Sequence, residues 1–248
     1  MYSYGGYGGY GGYGRADILY IALLVTFAFS MYASWRVKSV YRKYQDGSNL
    51  RRITGAQAAR EILRRNGLTG VDIREISGVS LTDYYDPKSN SINLSSDVYN
   101  GTSAVAVGVA CHEAGHAMQY AADYFPVKVR TAIIPVTNIG SKLAFPLILG
   151  GVLLSRSIPY LYQLIYLGII CFGLCTVFQL VTLPTEFDAS RRALKMLVQT
   201  GILGEEENKG ARKVLTAAAL TYVAALAASV LQLLRLIALA NGGNRRDR

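Results

Sequence analysis

Residues 102–124 read TSAVAVGVACHEAGHAMQYAADY, and the arrangement of the whole chain follows from how this stretch folds. Small and apolar residues occupy almost every side of a helical projection, and Thr102 or Ser103 is placed to cap the start. A helix so apolar around its circumference belongs inside a domain. It also carries His112 and His116, the only two histidines of the chain, with Glu113 between them. At 3.6 residues per turn the two imidazoles project from one face and can hold one zinc ion, while Glu113 is displaced toward a metal-bound water. Zinc lowers the pKa of such a water toward about 7, and a carboxylate beside it can take the proton and later deliver it to a leaving group.

Outward from this helix the text alternates between apolar runs and polar islands. The 248 residues are 51% hydrophobic and 17% charged, with a mean hydropathy of +0.23. That charged fraction is well under the roughly one quarter of soluble domains, which excludes a disordered or fibrous protein and points to an integral membrane protein. The first run, DILYIALLVTFAFSMYASW (17–35), is followed by Arg36, Lys38, Arg42 and Lys43. A cleaved signal peptide carries its basic residues before the apolar run, so this reads as a retained anchor over 15–37. Two further runs, Ala132–Leu154 and Tyr160–Leu183, are separated only by a short SRSIP connection and form a membrane hairpin over 131–183. The last run, Leu215–Ala240, supplies a fourth membrane helix over 214–240, with a basic tail over 241–248. The Tyr-Gly repeat of residues 1–14 has no apolar face and is expected to be disordered or self-associating.

The polar islands are 38–130 and 184–213. In the first, TGAQAAREILRRNGL (54–68) predicts a helix capped at Thr54 and stopped at Gly67. VDIREISG and SINLSS alternate like short strands, and YYDPKSN between them has turn punctuation. In the second, Pro184 suits a first helical turn and Gly201 a helix stop. The fold expected is therefore mainly α: a polytopic membrane protein with about four membrane-associated helices and a small α+β zincin-like catalytic domain built from two polar segments.

The net charge of +10 suits either nucleic acid or an anionic membrane surface. Thirteen Lys and Arg lie from Arg36 through Arg130 and six from Arg191 through Lys213, against one before the first run (Arg15) and one in the hairpin turn (Arg156). The positive-inside rule then places both islands in the cytoplasm. The arginines of the tail NGGNRRDR run against this assignment if the last run crosses. The basic residues are juxtamembrane and lack aromatic interleaving, so the expected partner is lipid rather than nucleic acid.

With no third histidine, the remaining protein ligand must be a carboxylate or a thiol, and catalytic zinc commonly uses two His and one Glu. Cys171 and Cys175 lie within a membrane run, and Cys111 points about 100° around the helix from His112. Asp83, Asp86 and Asp97 lie in the sheet region, whereas Glu186 and Asp188 open the second island. Glu186 is the expected ligand, because a carboxylate delivered on a separate helix to the same side of the membrane accounts for that island. Asp188 is spaced to pair with Arg191 or Arg192.

The strings LTDYYDP, AVGVACHEAGHAMQ and LPTEFDASRRAL, in this order between membrane runs, resemble the YugP-like neutral zinc metallopeptidases, a bacterial membrane family. The resemblance implies a zinc endopeptidase with one zinc per chain, His112, His116 and Glu186 as ligands and Glu113 as base, in a bacterial plasma membrane. The second island is also similar to the membrane gluzincins of the HtpX and CAAX-protease type, whose Glu-x-x-Ala-Asp pattern is matched here by Glu186 and Ala189 but not by Ser190. With Ser190 at that position, Asp188 or Asp97 is left to orient a ligating histidine. Tyr84, Tyr85, Arg191 and Arg192 are the candidates to stabilise an oxyanion.

Three functions compete on the sequence. One is a membrane endopeptidase cutting unfolded or membrane-proximal protein segments. The second is a zinc hydrolase of a lipid or small amide, and the third is a non-catalytic scaffold in which zinc ties the two islands together.

Overall fold

The computed structural model describes residues 15–77, 82–155 and 157–243. The Tyr-Gly repeat of 1–14, residues 78–81, Arg156 and the last five residues lie outside them. The chain is mostly helical, as expected. Four long helices, α1 (Arg15–Gln45), α5 (Phe125–Leu154), α6 (Gln163–Thr200) and α7 (Glu205–Gly243), are each long and apolar enough to cross a membrane. A 3₁₀ turn at Pro159–Tyr162 joins α5 to α6. Their outward faces expose large apolar side chains such as Phe27, Trp35, Phe145, Ile170 and Leu180, which water would not tolerate as a continuous surface but lipid does. α5 packs along α6, and α1 and α6 along α7. Gly151 and Gly168 let the α5–α6 pair approach closely: a Cβ at either would lie 2.6 Å from an isoleucine on the other helix.

The helices do not break where the composition changes. A helix start at Pro184 is expected from the sequence, but α6 runs unbroken from the membrane run through Pro184 into the second polar island. The ring removes one N–H and one intrahelical bond, whereas ending the helix there would strip several backbone groups in apolar surroundings. The hydroxyl of Thr185 donates to the carbonyl of Val181 at 3.1 Å beside the gap. Likewise α1 continues past residue 37, α5 starts before Ala132 at Phe125, and α7 fuses the end of the island to the last apolar run. Side chains of the second island are thus carried on direct extensions of the membrane helices.

The polar segment between α1 and α5 contributes α2 (Gly55–Arg65), strands β1 (Asp72–Ile76), β2 (Tyr84–Asp86) and β3 (Ser91–Ser95), the short α3 (Ser96–Tyr99) and α4 (Ala104–Ala121). Thr54 caps α2 in a capping box with Gln57, and Ser103 caps α4 by accepting from the Ala106 N–H at 3.1 Å. The sheet order is β1-β3-β2, with β1 parallel and β2 antiparallel to the buried β3. β2 is therefore an edge strand. One core joins Ile62 and Leu63 of α2, Ile92 and Leu94 of β3, Val107 and Ala110 of α4, Leu197 of α6 and Leu215 of α7.

α4 is the hub, touching α1, α2, α5, α6, α7, β2 and β3. It meets α6 at Gly115, where a Cβ would fall 2.5 Å from the carbonyl oxygen of Ala189, and α7 at Gly108, where a Cβ would fall 3.1 Å from the Cβ of Ala211. Buried Asn49 ties the chain after α1 to the start of α4 through Thr102, whose carbonyl accepts from its Nδ2 at 2.6 Å. Gly115→Ala is expected to destabilise the protein by about 1–3 kcal/mol through overpacking. Gly173→Ala, on α6 where a Cβ meets nothing within 4 Å, should be neutral or stabilising. Thermal unfolding of the two variants in detergent checks this, and equal behaviour would contradict the crossing.

Candidate active site

The α4–α6 crossing places the charged face of α4 against the extension of α6. His112 and His116 stack one turn apart, ring centroids 4.8 Å apart and nearly perpendicular. Glu186 reaches between them from α6: its Oε2 lies 3.3 Å from His112 Nε2 and 3.6 Å from His116 Nε2. One donor atom from each of the three lies within 4.8 Å of the others. Among the described residues no other group of three His, Cys, Asp or Glu side chains converges in this way.

The far nitrogen of each ring is held. His116 Nδ1 lies 3.0 Å from Gln119 Oε1, and Gln119 Nε2 donates to the Thr185 carbonyl at 2.7 Å and to Asp188 Oδ2 at 3.0 Å. With its amide nitrogen committed, Gln119 offers an acceptor to His116, so Nδ1 carries the proton and Nε2 keeps its lone pair facing Glu186. His112 Nδ1 lies 3.1 Å from the Ser190 hydroxyl, which can accept in the same sense. Ser190 therefore occupies the orienting place, and Asp188 acts one link removed, through Gln119. Asp97 lies on α3 and lines a different groove with Asp46 and Asn100. Two imidazoles and a carboxylate, each held by an outer partner, could hold a metal ion and are donor types that suit zinc. The residues present fit that metal.

Glu113 is buried beside this group. Its Oε2 accepts from the Tyr85 N–H of the edge strand β2 at 2.9 Å. Burial pushes the Glu113 carboxyl up to about 7, against the pull of His112 and with the charges of Glu186 and Asp83 adding to the rise. A cation on the neighbouring ligands would draw it back down.

The remaining expected residues separate. Tyr84 is half exposed and lines the polar cavity next to the histidines. Tyr85 contributes its backbone, while its hydroxyl donates to Asn90 and its ring packs on Tyr120. Arg192 donates to Asp188 at 2.6 Å, and Arg191 is exposed and 3.9 Å from the same carboxylate. Neither arginine lines the cavities beside Glu113. Asp83 accepts from the Ser95 N–H and hydroxyl, and Asp86 braces the following turn. Cys111 faces the core, where burial holds its thiol well above the ordinary range.

Three residues at the site went unread in the sequence. Arg130 of α5 places Nη1 3.4 Å from Glu186 Oε1, and Tyr222 of α7 lies against Glu186 and Glu113. Gln119 is the third. Its spacing of three from His116 was a readable signal, whereas nothing local distinguishes Tyr222, and Arg130 shows only as a charge at the mouth of an apolar run. Two cavities flank the group. A polar one of about 520 Å³ is lined by β2, Tyr120, Arg130 and Tyr222. An apolar one of about 320 Å³ is lined by Val37, Val109, Val214, Leu215 and Ala218.

Comparison with known proteins agrees with this geometry. No solved structure matches the chain. It is 43% identical over 221 residues to the "Putative membrane protease YugP" of Bacillus subtilis (strain 168), covering 89% of this chain and 96% of that protein. The family described as "Putative neutral zinc metallopeptidase" matches residues 19–241, and the chain belongs to that family of membrane zinc peptidases.

Proposed function

We propose that the protein is a membrane-embedded endopeptidase of gluzincin type. His112, His116 and Glu186 hold one zinc ion, and Glu113 serves as the general base. The observation that carries the reading is the convergence of three donor atoms from two helices with Glu113 buried beside them. When bound, zinc supplies a Lewis acid that makes water nucleophilic near neutral pH and polarises a peptide carbonyl.

The chain's own groups divide the rest of the work. Glu113 takes the proton of the attacking water and hands it to the leaving amine, and the Tyr85 N–H fixes the carboxylate that does so. Arg130 and Tyr222 line the same polar cavity and are the donors placed to stabilise the developing oxyanion. A substrate chain extended across the site would place apolar side chains in the cavity between α1, α4 and α7 and its polar backbone beside β2. Because α1 and α7 are membrane helices, this arrangement suits unfolded or membrane-proximal segments of proteins. The clustering of Lys and Arg on the two islands supports a plasma-membrane, multi-pass orientation with the site facing the cytoplasm.

Glu113→Gln is expected to retain zinc and to lower cleavage of an unfolded protein substrate by at least about a hundredfold. Undiminished cleavage by that variant would overturn the role. Metal analysis of detergent-purified protein should give about one zinc per chain, a large loss in Glu186→Ala, and an affinity lowered about 10- to 100-fold in Gln119→Ala. Zinc retained in full by Glu186→Ala would move the third ligand to another carboxylate. Failure of a hydroxamate to bind the metal-loaded protein would favour a closed structural site, and with it the scaffold reading.

A further inference from the structure

Beyond the peptidase site, the outer faces of α6 and α7 enclose a second groove of about 580 Å³. Arg191 and Lys195 of α6 and Arg212 of α7 line it, and no acidic side chain does. Two neighbouring cations outside the groove are matched by carboxylates: Arg192 by Asp188 at 2.6 Å and Lys209 by Glu206 at 2.6 Å. Lys195 and Arg212 make no ion pair among the described residues. Arg191 has only Asp188, at 3.9 Å, which Arg192 already holds. Three like charges lining one groove repel one another until an anion joins them.

The position of the groove says what kind of anion. α6 carries no charged residue from Leu164 to Thr185, and α7 none from Val214 to Leu234, so the cations sit where both helices leave their apolar stretches. Val177, Leu180, Pro184, Phe187, Arg191 and Lys195 follow one another at helical spacings of three and four, hence on one face of α6. Val177, Leu180 and Phe187 are exposed. That face is an apolar track that ends in two cations, with the third supplied by α7. A free phosphate would use the cations and leave the track unused. A lipid whose acyl chain lies on Phe187 and Leu180 and whose phosphate meets Arg191, Lys195 and Arg212 uses both.

We propose that the α6–α7 groove binds the head group of an anionic glycerophospholipid of the surrounding bilayer. A zwitterionic lipid would bring a choline or amine into a groove that already holds three positive charges. Ser190 forms part of the groove wall while its hydroxyl meets His112, so the occupant sits one side chain away from the proposed metal ligands. The binding itself stands whether or not the peptidase mechanism is right.

The test is native mass spectrometry of the full chain in detergent with dioleoylphosphatidylglycerol or dioleoylphosphatidylcholine. Wild type would be compared with Lys195→Glu/Arg212→Glu and with Arg51→Glu/Arg60→Glu, which changes the net charge equally at exposed positions outside the groove. The milder Lys195→Gln/Arg212→Gln serves if charge reversal perturbs folding. The wild type should retain phosphatidylglycerol about tenfold or more over phosphatidylcholine. The groove variants should lose that preference, and the control should keep it. Equal retention of the two lipids, or a preference unchanged in the groove variants, would overturn the proposal. So would displacement of the lipid by an equal concentration of glycerol phosphate, which would assign the groove to a free phosphate, or by an acidic peptide, which would make it a protein-docking surface.

Discussion

Everything at the centre of this molecule depends on one close crossing, the passage of α4 over α6 at Gly115 and Ala189. The backbones approach until a single methyl group would not fit. Only at that separation can Glu186, on one helix, lie within 3.6 Å of imidazoles on the other. Gly115 sits inside the His-Glu-Ala-Gly-His pentapeptide itself, so the segment that carries the chemistry also carries the contact that completes it. Gly108 makes a second, looser contact with Ala211 of α7, the helix that carries Tyr222.

A buried cluster of ionisable groups is costly unless each has a partner. Here the partners are assembled in shells: Gln119 and Ser190 behind the imidazoles, Asp188 and Arg192 behind Gln119, the Tyr85 amide on Glu113 and Arg130 on Glu186. Arg192 is anchored in turn over the ring of Tyr124 at 5.6 Å. The shells come from α4 itself, α5, α6 and the edge strand β2, so residues far apart in the chain serve one compact site. They also leave Nε2 of both histidines facing a common carboxylate oxygen rather than hydrogen-bonded elsewhere.

Much of this was legible in the sequence because it is local. The two histidines four apart, the caps at Thr54 and Ser103, the stop at Gly67 and the apolar runs all act within one or two turns of chain. Glu186 was reachable because the chain has no third histidine and a carboxylate opening the second island accounts for that island. What could not be read depends on surroundings. Pro184 looks like a helix start in water but stays inside α6, because breaking the helix in apolar surroundings would cost more than the one bond the ring removes. Arg130 and Tyr222 are remote in sequence and meet Glu186 only through the packing of α5, α6 and α7. Arg191 and Arg192 look equivalent in sequence, yet neighbouring positions on a helix diverge by about 100°, and only Arg192 turns to Asp188 at close range.

In the proposed site, two imidazoles on α4 and one carboxylate on α6 hold a single zinc ion. X-ray absorption at the zinc edge of the purified, metal-loaded protein tests it most directly. A first shell of nitrogen and oxygen only is expected, with the multiple-scattering signature of two imidazoles and metal–nitrogen distances of about 2.0–2.1 Å. A sulfur scatterer near 2.3 Å, or fewer than two imidazoles, would contradict it.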